Sequence, residues 1–264
     1  MKNPGAPVRK FLLFLPVVWC VLVPASAWAG SMSLLGVGKA GALPGPPTLT
    51  YNTTGAASGT TAQTLAVTLP SSGGPFWVGV LTTIRPSPVI SSITLTNSSG
   101  TSSCIIDSQN GDNSTIPTVG VAHCLTSAAD PGASILTINY ASNPFNGTII
   151  SLWTAPSSGF ASLTPAGTTT AGLASASSIS GNANATTGGF CLALSNTAVI
   201  LTGPSASSSG STFTYTQRAL ASANGQSYWS ADAPASSTTT ETTAIAWTGT
   251  GLPTRIGLSV GCWR

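Results

Sequence analysis

The chain of 264 residues holds a single histidine, His123, and a cysteine, Cys124, follows it directly. A thiol beside an imidazole is the raw material of a nucleophile and its base, provided the two side chains converge. Residues 118–125 read as a β-strand, and neighbours in a strand point to opposite faces. The pair is therefore expected to diverge, and no catalytic residue is assigned. The most polar loop runs from Asp107 to Ser114. Asp107, Asn110 and Asp112 are hard oxygen donors of the kind Ca²⁺ accepts. No Glu follows at the EF-hand position, and Asn110-Gly111 equally marks a tight hairpin turn. Ca²⁺ is the one cofactor these residues raise; otherwise none is expected. Tyr228 and Trp229, between Gln226 and Asp232, are the best candidates for stacking on a sugar ring, with core packing as their other use.

Other chemistries lack their parts. Glycoside hydrolysis needs two carboxylates across a cleft. The acids outside the N-terminal segment are Asp107, Asp112, Asp130, Asp232 and Glu241, scattered without a pairing pattern. No G-x-S-x-G elbow fits a strand–turn–helix context. No C-x2-C spacing accompanies the lone histidine, which disfavours zinc. Only 5% of residues are charged. Lys2, Arg9 and Lys10 crowd the N-terminus, and beyond them five bases face five acids. Without a basic stripe there is no basis for binding nucleic acid. A body of near-zero net charge has little electrostatic protection against self-association, so a homo-oligomer is in view.

The elements that would carry these residues are strands. Leu65, Val67 and Leu69 alternate with small or polar residues, the mark of a strand with one buried face. After the turn from Pro70 to Pro75, Phe76 to Leu81 is almost wholly apolar and reads as a central strand covered on both faces. Turn signals then recur about every 8–12 residues, the spacing of a sandwich or barrel. Residues 154–188 are weakly patterned, with room for one or two strands. Residues 217–223, rich in Ala, form the only candidate helical turn. No fixed-period repeat is visible. The fold expected is all-β, an antiparallel sandwich in one large domain over residues 48–264, after a Gly- and Pro-rich arm at 30–47.

Residues 1–29 have the order of a secretory signal peptide: basic residues, an apolar run broken by Pro16, and an A-x-A exit at Ala27 and Ala29. The run is short for a membrane anchor, so the mature form is expected free of the membrane and either secreted or periplasmic. A start at Met32 would instead make it virion-associated. The remaining four cysteines are even in number, as disulfides require in an exported chain. They allow three pairings. Folding a hairpin about residue 114 sets Cys104 opposite Cys124, leaving Cys191 with Cys262; buried free thiols are the other reading.

The strand order, with its apolar strand at Phe76–Leu81, Ile135-Leu136-Thr137-Ile138, and Thr148 to Trp153, resembles the jelly-roll-like β-sandwich domains of phage and prophage tail or virion-associated proteins and of some secreted bacterial proteins. Ser33-Leu34-Leu35-Gly36-Val37-Gly38 is similar to the N-termini of small phage structural proteins. The resemblance implies a binding or structural role. The function expected is a non-enzymatic exported structural or surface-interaction protein, with prophage origin in view. A carbohydrate-binding module at the cell surface is the alternative, and a secreted hydrolase the third. The partner expected is a protein or glycan surface.

Overall fold

The computed structural model describes residues 49–264 apart from 70–73, 83–87, 112–115, 127–131, 145–146, 156–161, 174–175 and 252–254. The signal segment, the arm, Asp112 and Asp130 lie outside the described residues. Every described element is a strand. The first nine are β1 (Thr50–Gly59), β2 (Ala62–Leu69), β3 (Gly74–Thr82), β4 (Ile90–Asn97), β5 (Gly100–Ser103), β6 (Ile105–Asn110), β7 (Thr118–Thr126), β8 (Gly132–Tyr140) and β9 (Thr148–Thr154). The next eight are β10 (Gly167–Leu173), β11 (Ser178–Ala185), β12 (Gly189–Thr197), β13 (Thr202–Gly210), β14 (Thr216–Ala223), β15 (Gln226–Ala235), β16 (Thr239–Thr250) and β17 (Ile256–Trp263). All pairings are antiparallel. The all-β, jelly-roll-like expectation holds. No helix among the described residues is long and apolar enough to cross a membrane.

Residues 44–264 form one compact unit. Within it the sequence concealed a duplication. The first nine strands run in the order β5-β4-β8-β2-β1-β9-β3-β7-β6. Strand β1 pairs with β9 along most of its length and with β2 at Ser58 and Gly59, so it carries the chain from one sheet to the other. The first half is thus an inner sheet, β1-β9-β3-β7-β6, facing an outer sheet, β5-β4-β8-β2. The second half has an inner sheet β10-β17-β12-β15-β14 and an outer sheet β11-β16-β13. Substituting β10 for β1, β11 for β2, β12 for β3, and so on to β17 for β9 reproduces the order, with β5 lacking a counterpart.

The apolar clusters set the layers. Phe76, Val78, Val80, Ile93, Leu136 and Ile150 fill the space between the two sheets of the first half. Cys191, Ala193, Trp229, Ile245, Trp247 and Leu258 do so in the second. A third cluster lies between the two inner sheets and joins Trp77, Leu81, Val121 and Trp153 to Phe190, Leu192, Leu194 and Trp263. The order is outer, inner, inner, outer. That explains why β3, β12 and β17 are buried at every position, since their odd and even residues meet different layers. It also explains the alternation of β2 and β11, whose second face meets solvent.

Both expected disulfides are present. Cys104 joins Cys124 across a separation of 20 residues, and Cys191 joins Cys262 across 71. Cys191 and Cys262 are direct cross-strand partners in the middle of an inner sheet. The candidate helical turn at 217–223 is instead strand β14, joined to β15 through Asn224 and Gly225, both at positive φ. A two-residue Asn-Gly loop with that backbone is the favoured hairpin turn. The weakly patterned stretch resolves into β10 and β11.

Candidate functional site

The chemistry-bearing side chains gather at the seam between the two inner sheets. His123 lies on β7, cross-strand from Trp77 on one side and Ile105 on the other. Its Nδ1 sits 2.8 Å from Asp107 Oδ2 and 3.0 Å from Oδ1. The side chains are 3% and 2% exposed. Burial pushes the Asp107 carboxyl above the ordinary carboxylate value, and the contact with His123 pulls it part of the way back. Cys124 belongs to the apolar cluster within the first sandwich, on the other face of β7, and its sulfur is bridged. The divergence expected of the two side chains is therefore observed, and Cys124 has no thiol to activate.

An ion pair faces the first half from β14 and β15. Arg218 donates from Nε to Asp232 Oδ2 at 2.6 Å and from Nη2 to Oδ1 at 2.8 Å. These bonds hold the guanidinium yet more firmly protonated. Trp153, from β9, donates its indole N–H to the same Oδ2 at 2.8 Å. Asp232 thus takes two donors from Arg218 in its own half and one, the Trp153 indole, from the other. Nearby, Ser151 donates to Ser230 at 3.1 Å, and Ser108 meets Ser259 at 2.7 Å. Asn196 donates to Gln226 Oε1 at 2.8 Å and to the Thr82 carbonyl at 3.2 Å, while Gln226 donates to the Leu81 carbonyl at 3.2 Å. Around them Trp77, Phe190 and Trp263 pack ring against ring, with Trp77 edge-on to Phe190 at 4.9 Å and Phe190 stacked on Trp263 at 5.6 Å.

The remaining described acid, Glu241, is fully buried in the second half. It accepts from the Ser211 hydroxyl at 3.1 Å and from the backbone N–H groups of Thr212 and Phe213. It fixes the turn between β13 and β14. The three described carboxylates are therefore each committed to a separate partner set.

Of the proposed Ca²⁺ ligands, the two described, Asp107 and Asn110, each have other partners. Asp107 is spent on His123. Asn110 donates to the Ala171 carbonyl at 2.6 Å and accepts from the Val119 N–H at 2.8 Å. Asp112 lies outside the described residues. Among the described residues no group of three or more His, Cys, Asp or Glu is placed to hold a metal ion. The aromatic platform also has to be corrected. Trp229 is fully buried in the core of the second sandwich, where its ring meets Tyr215 edge-on. Tyr228, its neighbour in the strand, points the other way and packs partly buried at the seam. The two cannot form one exposed face, because strand neighbours alternate.

Sequence reasoning passed over the role of Asp232 and Arg218. The signal was available: a charge inside the otherwise apolar or small-residue run from Tyr228 to Ala235 is a residue that must be paired. It also passed over the outward faces. On the first outer sheet these carry Thr64, Ala66 and Thr68 from β2, Thr94 and Thr96 from β4, and Ala133, Ile135 and Thr137 from β8. On the second, β11 presents Ser178, Ser180, Asn182 and Asn184, beside Thr240, Thr242, Ala244 and Ala246 of β16. None of these is ionisable. A groove of about 450 Å³ crosses the first outer face near Ile135, and one of about 240 Å³ lies beside Ser180 on the second.

No protein-family model matches this chain, and no curated protein matches it in sequence.

Proposed function

We propose that the chain is a non-enzymatic exported protein that works through its surfaces, as a structural or surface-interaction subunit of the kind that jelly-roll domains supply to phage and prophage particles. One observation carries this reading. The His123–Asp107 contact and the Arg218–Asp232 ion pair lie at the seam between the sandwiches, while among the described residues the outward faces of both outer sheets bear hydroxyl, amide and aliphatic groups. Catalytic sites concentrate perturbed, accessible titratable groups in a cleft. Here His123–Asp107, Arg218–Asp232 and Glu241 fasten strands and turns to one another. Two disulfides fit an oxidising compartment, in line with secretion or passage through a periplasm.

The test is fractionation of the producing organism. Culture fluid, periplasm, cytosol, envelopes and sedimenting particles are probed with an antibody on non-reducing gels. The expected result is an oxidised protein outside the cytosol that sediments with envelopes or particles. A reduced protein confined to the cytosol and absent from every sedimenting fraction would overturn the reading.

A further inference from the structure

Resting on that surface reading, we propose that the groove across the first outer sheet binds a neutral polysaccharide. Its outward lining is Ala66, Thr68, Thr96, Asn97, Ala133 and Ile135. Ile135 is 49% exposed, and Ala66 is its direct partner on the adjacent strand. Together with Ala133, two positions along β8, they make an aliphatic floor. Threonine hydroxyls stand around it: Thr96, cross-strand from Ile135, is in hydrogen-bond contact with Thr101 at 2.9 Å. Asn97 accepts the Ser99 N–H through its side-chain oxygen at 2.9 Å, which leaves its amide N–H₂ as a donor.

A pyranose ring has the same division, with aliphatic C–H groups on its faces and hydroxyls at its rim. An aliphatic floor with a few placed polar groups is the usual make-up of a small-ligand site, and about 450 Å³ falls within the usual volume range. Charge selects among ligands. Among the described residues no ionisable side chain lies on this outward face, so an acidic polymer or a phosphate would lose hydration without gaining a counter-charge there. A protein partner would be expected to meet aromatic and Arg anchors, and the outward positions named here carry neither. A polymer is favoured over a single sugar because the face repeats. Outward residues recur at i and i+2, about 6.8 Å apart along a strand, and neighbouring strands lie about 4.8 Å apart.

The experiment retains the purified disulfide-bonded protein on insoluble cellulose, chitin and curdlan, with an acidic polysaccharide resin as contrast, at low and high salt. Three variants accompany it, all at solvent-facing positions: Ile135→Lys, Ile135→Trp and, on the other outer sheet, Thr240→Lys. Their thermal unfolding is compared with the parent's to confirm that each is folded. The expected result is retention on at least one neutral polymer that salt does not weaken. Ile135→Lys should lower it about tenfold, Ile135→Trp should tighten it by offering a broader apolar surface, and Thr240→Lys should leave it unchanged. Absence of retention on all three neutral polymers would overturn the proposal, as would retention that Ile135→Lys leaves intact or that salt removes. Self-association abolished by Ile135→Lys, without polymer binding, would also overturn it, since the face would then serve a second copy of the chain. Sedimentation with envelopes or particles is scored separately. A protein that sediments but ignores these polymers loses this proposal and keeps the surface role.

Discussion

The two halves reach one topology with different interiors. The first sandwich is filled by branched aliphatics such as Val78, Val80, Ile93, Leu136 and Ile150, with no Trp in that layer. The second alternates extremes: Ala183, Ala193, Ala231 and Ala233 beside Trp229 and Trp247, around the Cys191–Cys262 bridge. The contrast is clearest between β2 and β11. They bury in the same alternating pattern, yet no residue of AQTLAVTL matches its equivalent in SISGNANA. Interiors must reach a common packing density, and either uniform medium side chains or large ones set against small ones can do so. What the halves share is the course of the backbone. What differs is where the volume is concentrated, and hence how much depends on any one residue.

The largest effect should fall on a concentrated site. Trp247→Ala empties a large volume and leaves Ser195 without its indole donor. We expect a loss of about 3–5 kcal/mol in chemical denaturation. A loss below that of Leu136→Ala in the first half would break the contrast between the interiors. Next come the bridges. Replacing Cys191 and Cys262 together by Ala should cost about 2–4 kcal/mol, more than the same change at Cys104 and Cys124, because the closed loop is longer. Equal midpoint shifts for the two double variants would contradict that ranking. At the seam, Gly79 leaves space for the Leu194 side chain of the other half. Gly79→Val should overpack the contact and cost about 1–3 kcal/mol. Pairing it with Leu194→Ala should recover part of the loss, and strict additivity of the two changes would show that they do not meet.

The smallest effect concerns pH. The folded protein raises the pKa of Asp107 by burial, so the folded state keeps that proton to a higher pH than the unfolded chain. Its contribution to stability is complete below the ordinary carboxylate range and declines as pH climbs through the raised value. Asp107→Asn should flatten that part of the stability curve between acid and neutral pH. An unchanged slope would place the titration elsewhere.

Much of the first half could be read in advance because its side chains signal loudly. Val67 and Leu69 announce a buried face, and the apolar run of β3 announces burial on both. The second half is quieter. In β11 the inward residues after Ile179 are Gly181, Ala183 and Ala185, which carry little hydrophobic contrast against Ser and Asn, so the pattern that burial reveals was faint in the letters. The segment at 217–223 misled because Ala favours helix in isolation, whereas pairing with β15 and the Asn224-Gly225 turn decide its form. The Cys104–Cys124 bridge was legible from hairpin arithmetic, and Cys191–Cys262 followed as the remaining pair. The Ca²⁺ set and the Tyr228–Trp229 platform were not decidable from composition. Asp107 found a partner 16 residues away at His123, and Trp229 was claimed by a core whose need for volume is set by the alanines around it. The duplication was invisible for the same reason, since it lives in strand order and not in residue identity.

Strand β17 lies between β10 and β12 at the heart of an inner sheet, as β9 lies between β1 and β3. This placement has a consequence during synthesis. A nascent chain interrupted before Ile256 would lack a central strand, and β10 and β12 would each be left with an open edge. It would also lack Cys262 and so leave Cys191 with a free thiol. Open edges and free thiols are what proteases, chaperones and disulfide-exchange enzymes act upon. Completion of β17 therefore closes both edges and the Cys191 thiol together.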